Sequence, residues 1–216
     1  MADAAEMLPF QALVAAGAGR ARARVERIFM LDNACAHIAR AAREPIMAQI
    51  RLAWWRDGLL ADRLTSQHDA PDMVALRAID GFERARPGLV AMVDGWEELI
   101  LGGEGGPHDM LMGYAQGRGE GLFAALAPER TEERAAAGRV WALWDLAGHL
   151  SDATLAEEAV KLGREVAQAA ITAALPRMLK MLAGPAIADV RRGRGAPPLL
   201  TPGLYARMMR IQLFGR

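Results

Sequence analysis

The sequence predicts an all-α protein, and three features carry that expectation. Roughly one residue in five is alanine, the best helix former. Valine, isoleucine and threonine together supply only about a tenth of the chain, too few β-branched side chains to build a sheet. Proline and glycine fall between apolar runs of helical period and punctuate them.

The elements follow in order. Residues 20–43 carry Val25, Ile28, Phe29, Leu31 and Ile38 at helical spacing. Pro45 stops that helix and suits the first turn of the next, which holds Ile46, Ile50, Trp54, Trp55 and Leu59. Ser66 to Pro71 reads as a loop, and a helix is expected from Asp72 to Arg84. Pro87 opens another to Leu101, closed by Gly102, Gly103, Gly105 and Gly106. Pro107 begins a helix to about Ala127, and Thr131 one to about Leu150. Thr154 with Glu157 fits a capping box, the start of a long helix to Leu182 kinked at Pro176. Gly193 to Pro198 is a connector, and Thr201 with Pro202 starts a terminal helix to Phe214. No internal repeat and no change of composition divides the chain. One domain over residues 1–216 is expected, its core at about 20–190 and a basic helix at about 201–214.

Charge and cysteine content exclude several classes. Twenty-six basic residues balance 26 acidic ones, so the basic excess of a nucleic-acid binder is missing and no nucleic-acid partner is expected. Cys35 is the single cysteine, which excludes an intrachain disulfide and a cysteine-based zinc site. The acidic start Met-Ala-Asp-Ala-Ala-Glu lacks a basic leader, and no run of about 18 uncharged apolar residues occurs. The expected location is cytoplasmic, with the inner membrane face as a peripheral site. From Pro176 onward eight basic residues face one acid, Asp189. The terminal helix places Leu204, Met208 and Ile211 on one stripe. Such a helix either lies on an anionic membrane surface or docks on its own domain, and docking is the commoner outcome.

Three groups of residues offer chemistry. On a wheel of residues 46–63, Gln49, Arg56, Asp57 and Arg63 share the polar side, and Arg51 falls inside the apolar arc. A buried guanidinium needs an anionic partner, so Arg51 is expected to face one. In the helix at 107–127, Arg118 lies among Met110, Leu111, Tyr114, Leu122 and Ala125, one turn from Tyr114. Gly113, Gly117 and Gly121 form a bare stripe that admits close approach of a helix or a ligand. Arg51, Tyr114 and Arg118 are thus candidate binding residues of an apolar tunnel with an anion-binding end. The plainer alternative pairs each arginine with a structural carboxylate or lets it reach water. Asp145, His149 and Asp152 share a narrow sector and form a weak divalent-metal candidate. Capping by an aspartate and an i,i+4 pair is the plainer account, and no resident metal is expected. His37, His68 and His108 have no partners at ligand spacing, Ser66 and Ser151 lack a nucleophile-elbow context, and no phosphate-binding loop or dinucleotide fingerprint occurs.

The most specific string is Arg43-Glu-Pro-Ile-Met-Ala-Gln-Ile-Arg-Leu-Ala-Trp-Trp-Arg-Asp57. It resembles the squalene/phytoene synthase family, whose members carry a similar Ile-Arg-Leu-x-Trp-Trp-Arg segment. Gly95-Trp-Glu-Glu-Leu-Ile100 and Tyr114-Ala-Gln-Gly-Arg-Gly-Glu-Gly-Leu-Phe123 are similar to later blocks of that family, in the same order, over residues 20 to 214. The resemblance implies an isoprenoid-synthase-like helical bundle around a central cavity. It also implies two aspartate-rich motifs on facing helices, whose carboxylates hold magnesium against a diphosphate leaving group. Here Ala34, Cys35 and Ile38 stand where the first motif's aspartates belong, with only Asp32 nearby. Asp145, His149 and Asp152 stand in place of the second. The expectation is a catalytically degenerate member that binds an isoprenoid lipid or a protein partner. A non-catalytic branch acting as a mitochondrial complex I assembly factor looks similar. The alternatives are an active magnesium-dependent prenyltransferase joining prenyl diphosphates, with Arg51 or Arg118 on the phosphates, and a peripheral membrane adaptor.

Overall fold

A computed structural model describes residues 7–41, 44–102, 105–127, 129, 131–170 and 175–215. Among them are helices and connections and no strand. The helices are α1 (Pro9–Gly17), α2 (Arg22–Ala41), α3 (Pro45–Leu60), α4 (Pro71–Arg77), α5 (Phe82–Leu101), α6 (Pro107–Tyr114), α7 (Gly121–Leu126), α8 (Glu132–Ala147), α9 (Ala153–Val166), α10 (Arg177–Val190) and α11 (Pro202–Phe214). A π-helical turn, Ala115–Glu120, joins α6 to α7. One continuous apolar core reaches from Val14 in α1 to Met208 in α11.

Several boundaries differ from the sequence expectation, each for a local reason. The first helix, α1, lies ahead of the expected core; Pro9 opens it, and Gln11, Val14 and Ala15 are buried. The break before α5 comes at Gly81, whose positive φ of 72° ends the preceding turn. Pro87 sits inside α5 and removes only the bond to the Glu83 carbonyl. The long helix expected at 154–182 ends at Val166, and the chain restarts at Arg177 with extended Pro176 as the cap. As the cap of α10, Pro176 loses no helical hydrogen bond, whereas Pro185 stays inside that helix as Pro87 does in α5. Residues 171–174 of that span lie outside the described residues, as do 42–43 at the end of the first expected helix, Gly103 and the N-terminal residues 1–6. Asp152, not Thr154, caps α9, its Oδ1 accepting from the backbone N–H groups of Thr154 at 2.9 Å and Leu155 at 3.1 Å.

Helix α3 is turned about its axis relative to the apolar arc read from the sequence. It buries Ala48, Leu52, Gly58 and Leu59, and leaves Ile46, Met47, Ile50 and Arg51 exposed. The rotation is fixed by Arg56, whose Nε donates to Asp94 Oδ1 at 2.7 Å while Nη2 reaches Glu97, both on α5. The last arginine of the Trp-Trp-Arg string is thus a clamp between α3 and α5.

Glycine decides how closely the central elements approach. Gly88 and Gly95 of α5 lie against Gly121 and Gly117, and Gly119 on the opposite side lies against Gly138 of α8. A Cβ on Gly88 would lie 2.5 Å from the Gly121 carbonyl oxygen, and one on Gly95 would collide with the Arg118 backbone nitrogen. The π turn is held backbone to backbone between α5 and α8. Gly113, the third member of the stripe read from the sequence, meets only the Glu98 side chain.

Gly95→Ala is therefore expected to cost at least about 2 kcal/mol by overpacking, or roughly 4–8 °C in a chain of this size. Gly203→Ala, where nothing lies within 4 Å, should be neutral or slightly stabilising. Paired thermal melts check both.

Candidate functional site

The inward face of α2 carries one polar residue among Ile28, Phe29, Leu31 and Cys35. It is Asp32, which is fully buried. A buried carboxylate needs hydrogen bonds and a counter-charge. Both come from the π turn and α5. Arg118 is 3% exposed and forks onto Asp32, Nε donating to Oδ1 at 2.8 Å and Nη2 to Oδ2 at 2.7 Å. The Trp96 indole of α5 donates to Asp32 Oδ1 at 2.8 Å. The remaining nitrogen of the fork, Nη1, donates to Asp145 Oδ2 of α8 at 2.7 Å and to the Tyr114 hydroxyl at 2.5 Å. One guanidinium thus joins two carboxylates from opposite helices. Its central carbon lies over the rings of Trp96 and Trp141, 4.6 and 4.5 Å from their centroids. Tyr114 meets Trp96 edge to face at 5.2 Å.

Burial alone would lower the Arg118 pKa. Asp32, the Tyr114 oxygen and Asp145 outweigh it and hold the guanidinium well above its ordinary value, so it stays charged. Burial raises the Tyr114 phenol, with Asp145 and Asp32 adding to it against Arg118. Burial, and then Asp32 one turn away, pushes the Cys35 thiol well above its usual range. Cys35 is therefore a packed thiol and not a nucleophile.

This cluster forms the floor of a cavity of about 130 Å3 between α1, α2, α5, α6 and α8. Leu8, Phe10, Leu99, Leu146 and Leu150 supply apolar wall, and Trp96, Tyr114, Arg118 and Asp145 the floor. Gln11 and Asn33 close one side with a pair of 2.8 Å hydrogen bonds. His149 lines the opposite side, its Nδ1 2.7 Å from the Asp145 carbonyl oxygen and 3.9 Å from Asp145 Oδ1.

Tyr114 and Arg118 stand together in this site, as their spacing suggests. Arg51 does not: it is exposed on α3 and takes no part in the cavity lining, because Ala48, Leu52 and Leu59 fill the buried side of that helix. Asp145 and His149 share the cavity, whereas Asp152 caps α9. Among the described residues no group of three or more His, Cys, Asp or Glu side chains could hold a metal ion. Sequence reasoning missed Asp32 as the partner of Arg118 and Trp96 as its cover. The available signal was a charged residue within the apolar stripe of α2.

No family model, no curated protein and no solved structure matches the chain.

Removing the cation strands two buried carboxylates. Arg118→Met is expected to lose about 3–5 kcal/mol, and adding Asp32→Asn and Asp145→Asn should recover much of it. Denaturant titration of the single and triple variants measures the difference. Stability should be level through neutral pH and fall above about pH 8.5. The sign follows from the raised pKa of buried Cys35: the unfolded thiol ionises first, so unfolding releases a proton and is favoured as pH rises. Tyr114 adds the same trend from about pH 10. Cys35→Ala should remove the first part of the fall in a melting curve against pH.

Proposed function

We propose that this is a catalytically degenerate squalene/phytoene synthase-like protein whose cavity holds the end of an apolar, isoprenoid-type molecule without metal–diphosphate chemistry. The observation that supports the reading is the bridge from Asp32 through Arg118 to Asp145. In the enzymes that the sequence resembles, carboxylates on facing helices hold magnesium against a diphosphate. Here Asp32 and Asp145 stand on facing helices, and the guanidinium binds three of their four oxygens. The residues present do not fit a magnesium–diphosphate site. A diphosphate would also find the Arg118 guanidinium of the floor already committed to Asp32 and Asp145.

Size narrows the ligand. A cavity of about 130 Å3 is close to the roughly 150 Å3 apolar cavity that accepts benzene in another protein. It suits one isoprene unit or a small ring, with the rest of a longer chain outside the mouth. Apolar wall supplies affinity, and Tyr114 and Asp145 in the lining are the polar partners this reading assigns to a neutral hydroxyl group.

Calorimetric titration of farnesyl diphosphate, with magnesium and again with a chelator, tests the reading. The expected result is no magnesium-dependent heat. Tight binding only with magnesium would overturn it in favour of an active prenyltransferase.

A further inference from the structure

Helix α11 carries apolar side chains on both sides, yet only one side of it is packed. Leu204 and Met208 are buried in the core, and Ile211 packs against it. Arg207 forks onto Asp189 of α10 at 2.7 and 3.0 Å and fixes the helix against its neighbour. The stripe recognised in the sequence therefore faces the protein. The opposite arc holds Tyr205, Ala206, Met209, Arg210, Leu213 and Phe214. Leu213 is 63% and Phe214 69% exposed. Exposed aromatic and aliphatic side chains gathered beside cations mark an interaction surface.

Charge around the arc is one-sided. No acidic residue occurs on α1 or α11, and the sole acid of α10, Asp189, is neutralised by Arg207. Arg210 stands within the arc. Lys180 of α10 donates to the Gly215 carbonyl at 3.3 Å, beside Phe214. Exposed Arg177 opens the same helix and reaches toward Gly215. Cations on long apolar stems beside an aromatic and aliphatic patch match a lipid interface, where the stems lie along the acyl boundary and the charges meet phosphate.

We propose that the outer face of α11 docks in the plane of an anionic lipid bilayer, with Tyr205, Leu213 and Phe214 inserted and Arg177, Lys180 and Arg210 on the headgroups. None of these residues lines the cavity, so the proposal stands apart from the ligand reading. Among the described residues no helix is long and apolar enough to cross a membrane, and docking here means lying on the surface.

Co-sedimentation of the full chain with phosphatidylcholine vesicles, with and without phosphatidylglycerol, tests it. Binding only to the anionic vesicles, weakening as salt is raised, is expected. Leu213→Asp with Phe214→Asp should lower binding more than tenfold at an unchanged melting temperature. The triple Arg177→Gln, Lys180→Gln, Arg210→Gln should lower it about a hundredfold, at roughly fivefold per cation. Three results overturn the proposal: no binding to anionic vesicles, equal binding by folded variants, or a dimer in sedimentation velocity that Leu213→Asp with Phe214→Asp abolishes while vesicles are ignored. The last would make the face a contact between two copies of the chain.

Discussion

A single guanidinium holds the centre of this protein. Arg118 reaches α2 through Asp32 and α8 through Asp145, and it extends from a turn already wedged against α5. Three elements far apart in sequence thus share one buried cation. Charge pairs of this kind are weak sources of stability, because desolvation of three ions offsets most of the attraction. Their strength lies in selection among arrangements: any register of α2 or α8 that misplaces either carboxylate leaves a bare charge in the core. The two tryptophans against the guanidinium keep the cluster in low-dielectric surroundings and reinforce that selectivity.

Much of the helix pattern was legible, because proline and capping residues act locally. Pro45, Pro107, Thr131 and Pro202 each open a helix where the sequence places one. The failures are tertiary. The rotation of α3 is set by Arg56 bonding to Asp94 and Glu97, residues about forty positions away that no helical wheel contains. An apolar arc as broad as that of α3 leaves its inward side open, and Ile46, Met47 and Ile50 came out exposed. In the site, Tyr114 and Arg118 were legible because one helical turn joins them. Asp32 was not, because its partner lies 86 residues away and helical period gives no pairing between separate elements.

The cavity and the cluster beneath it constrain one another. Were Arg118 shorter, its carboxylate partners would be free to bind ions, and the floor would be wet. With the fork in place, the floor is a rigid polar surface under an apolar chamber. Such a surface distinguishes ligands by hydrogen bonding more than by charge, since the charges of Arg118 and Asp145 are already committed to one another. The glycine contacts belong to the same design: they bring the backbone of the π turn close enough for a side chain of fixed length to span both helices.

The π turn has a consequence for the lengths this segment tolerates in related sequences. A π turn holds one residue more than the α-helix would use over the same rise. Loss of one residue within 115–120 would leave an unbroken α-helix from Pro107 to Leu126 with its two ends close to their present phase, so the change would fall on the residues inside the turn. Gly117 and Gly119, which meet Gly95 and Gly138, and Arg118 between them are the residues whose directions would change. Substitutions in this stretch are constrained by volume, whereas a deletion would spare the flanking helices and unseat the arginine that the extra residue aims.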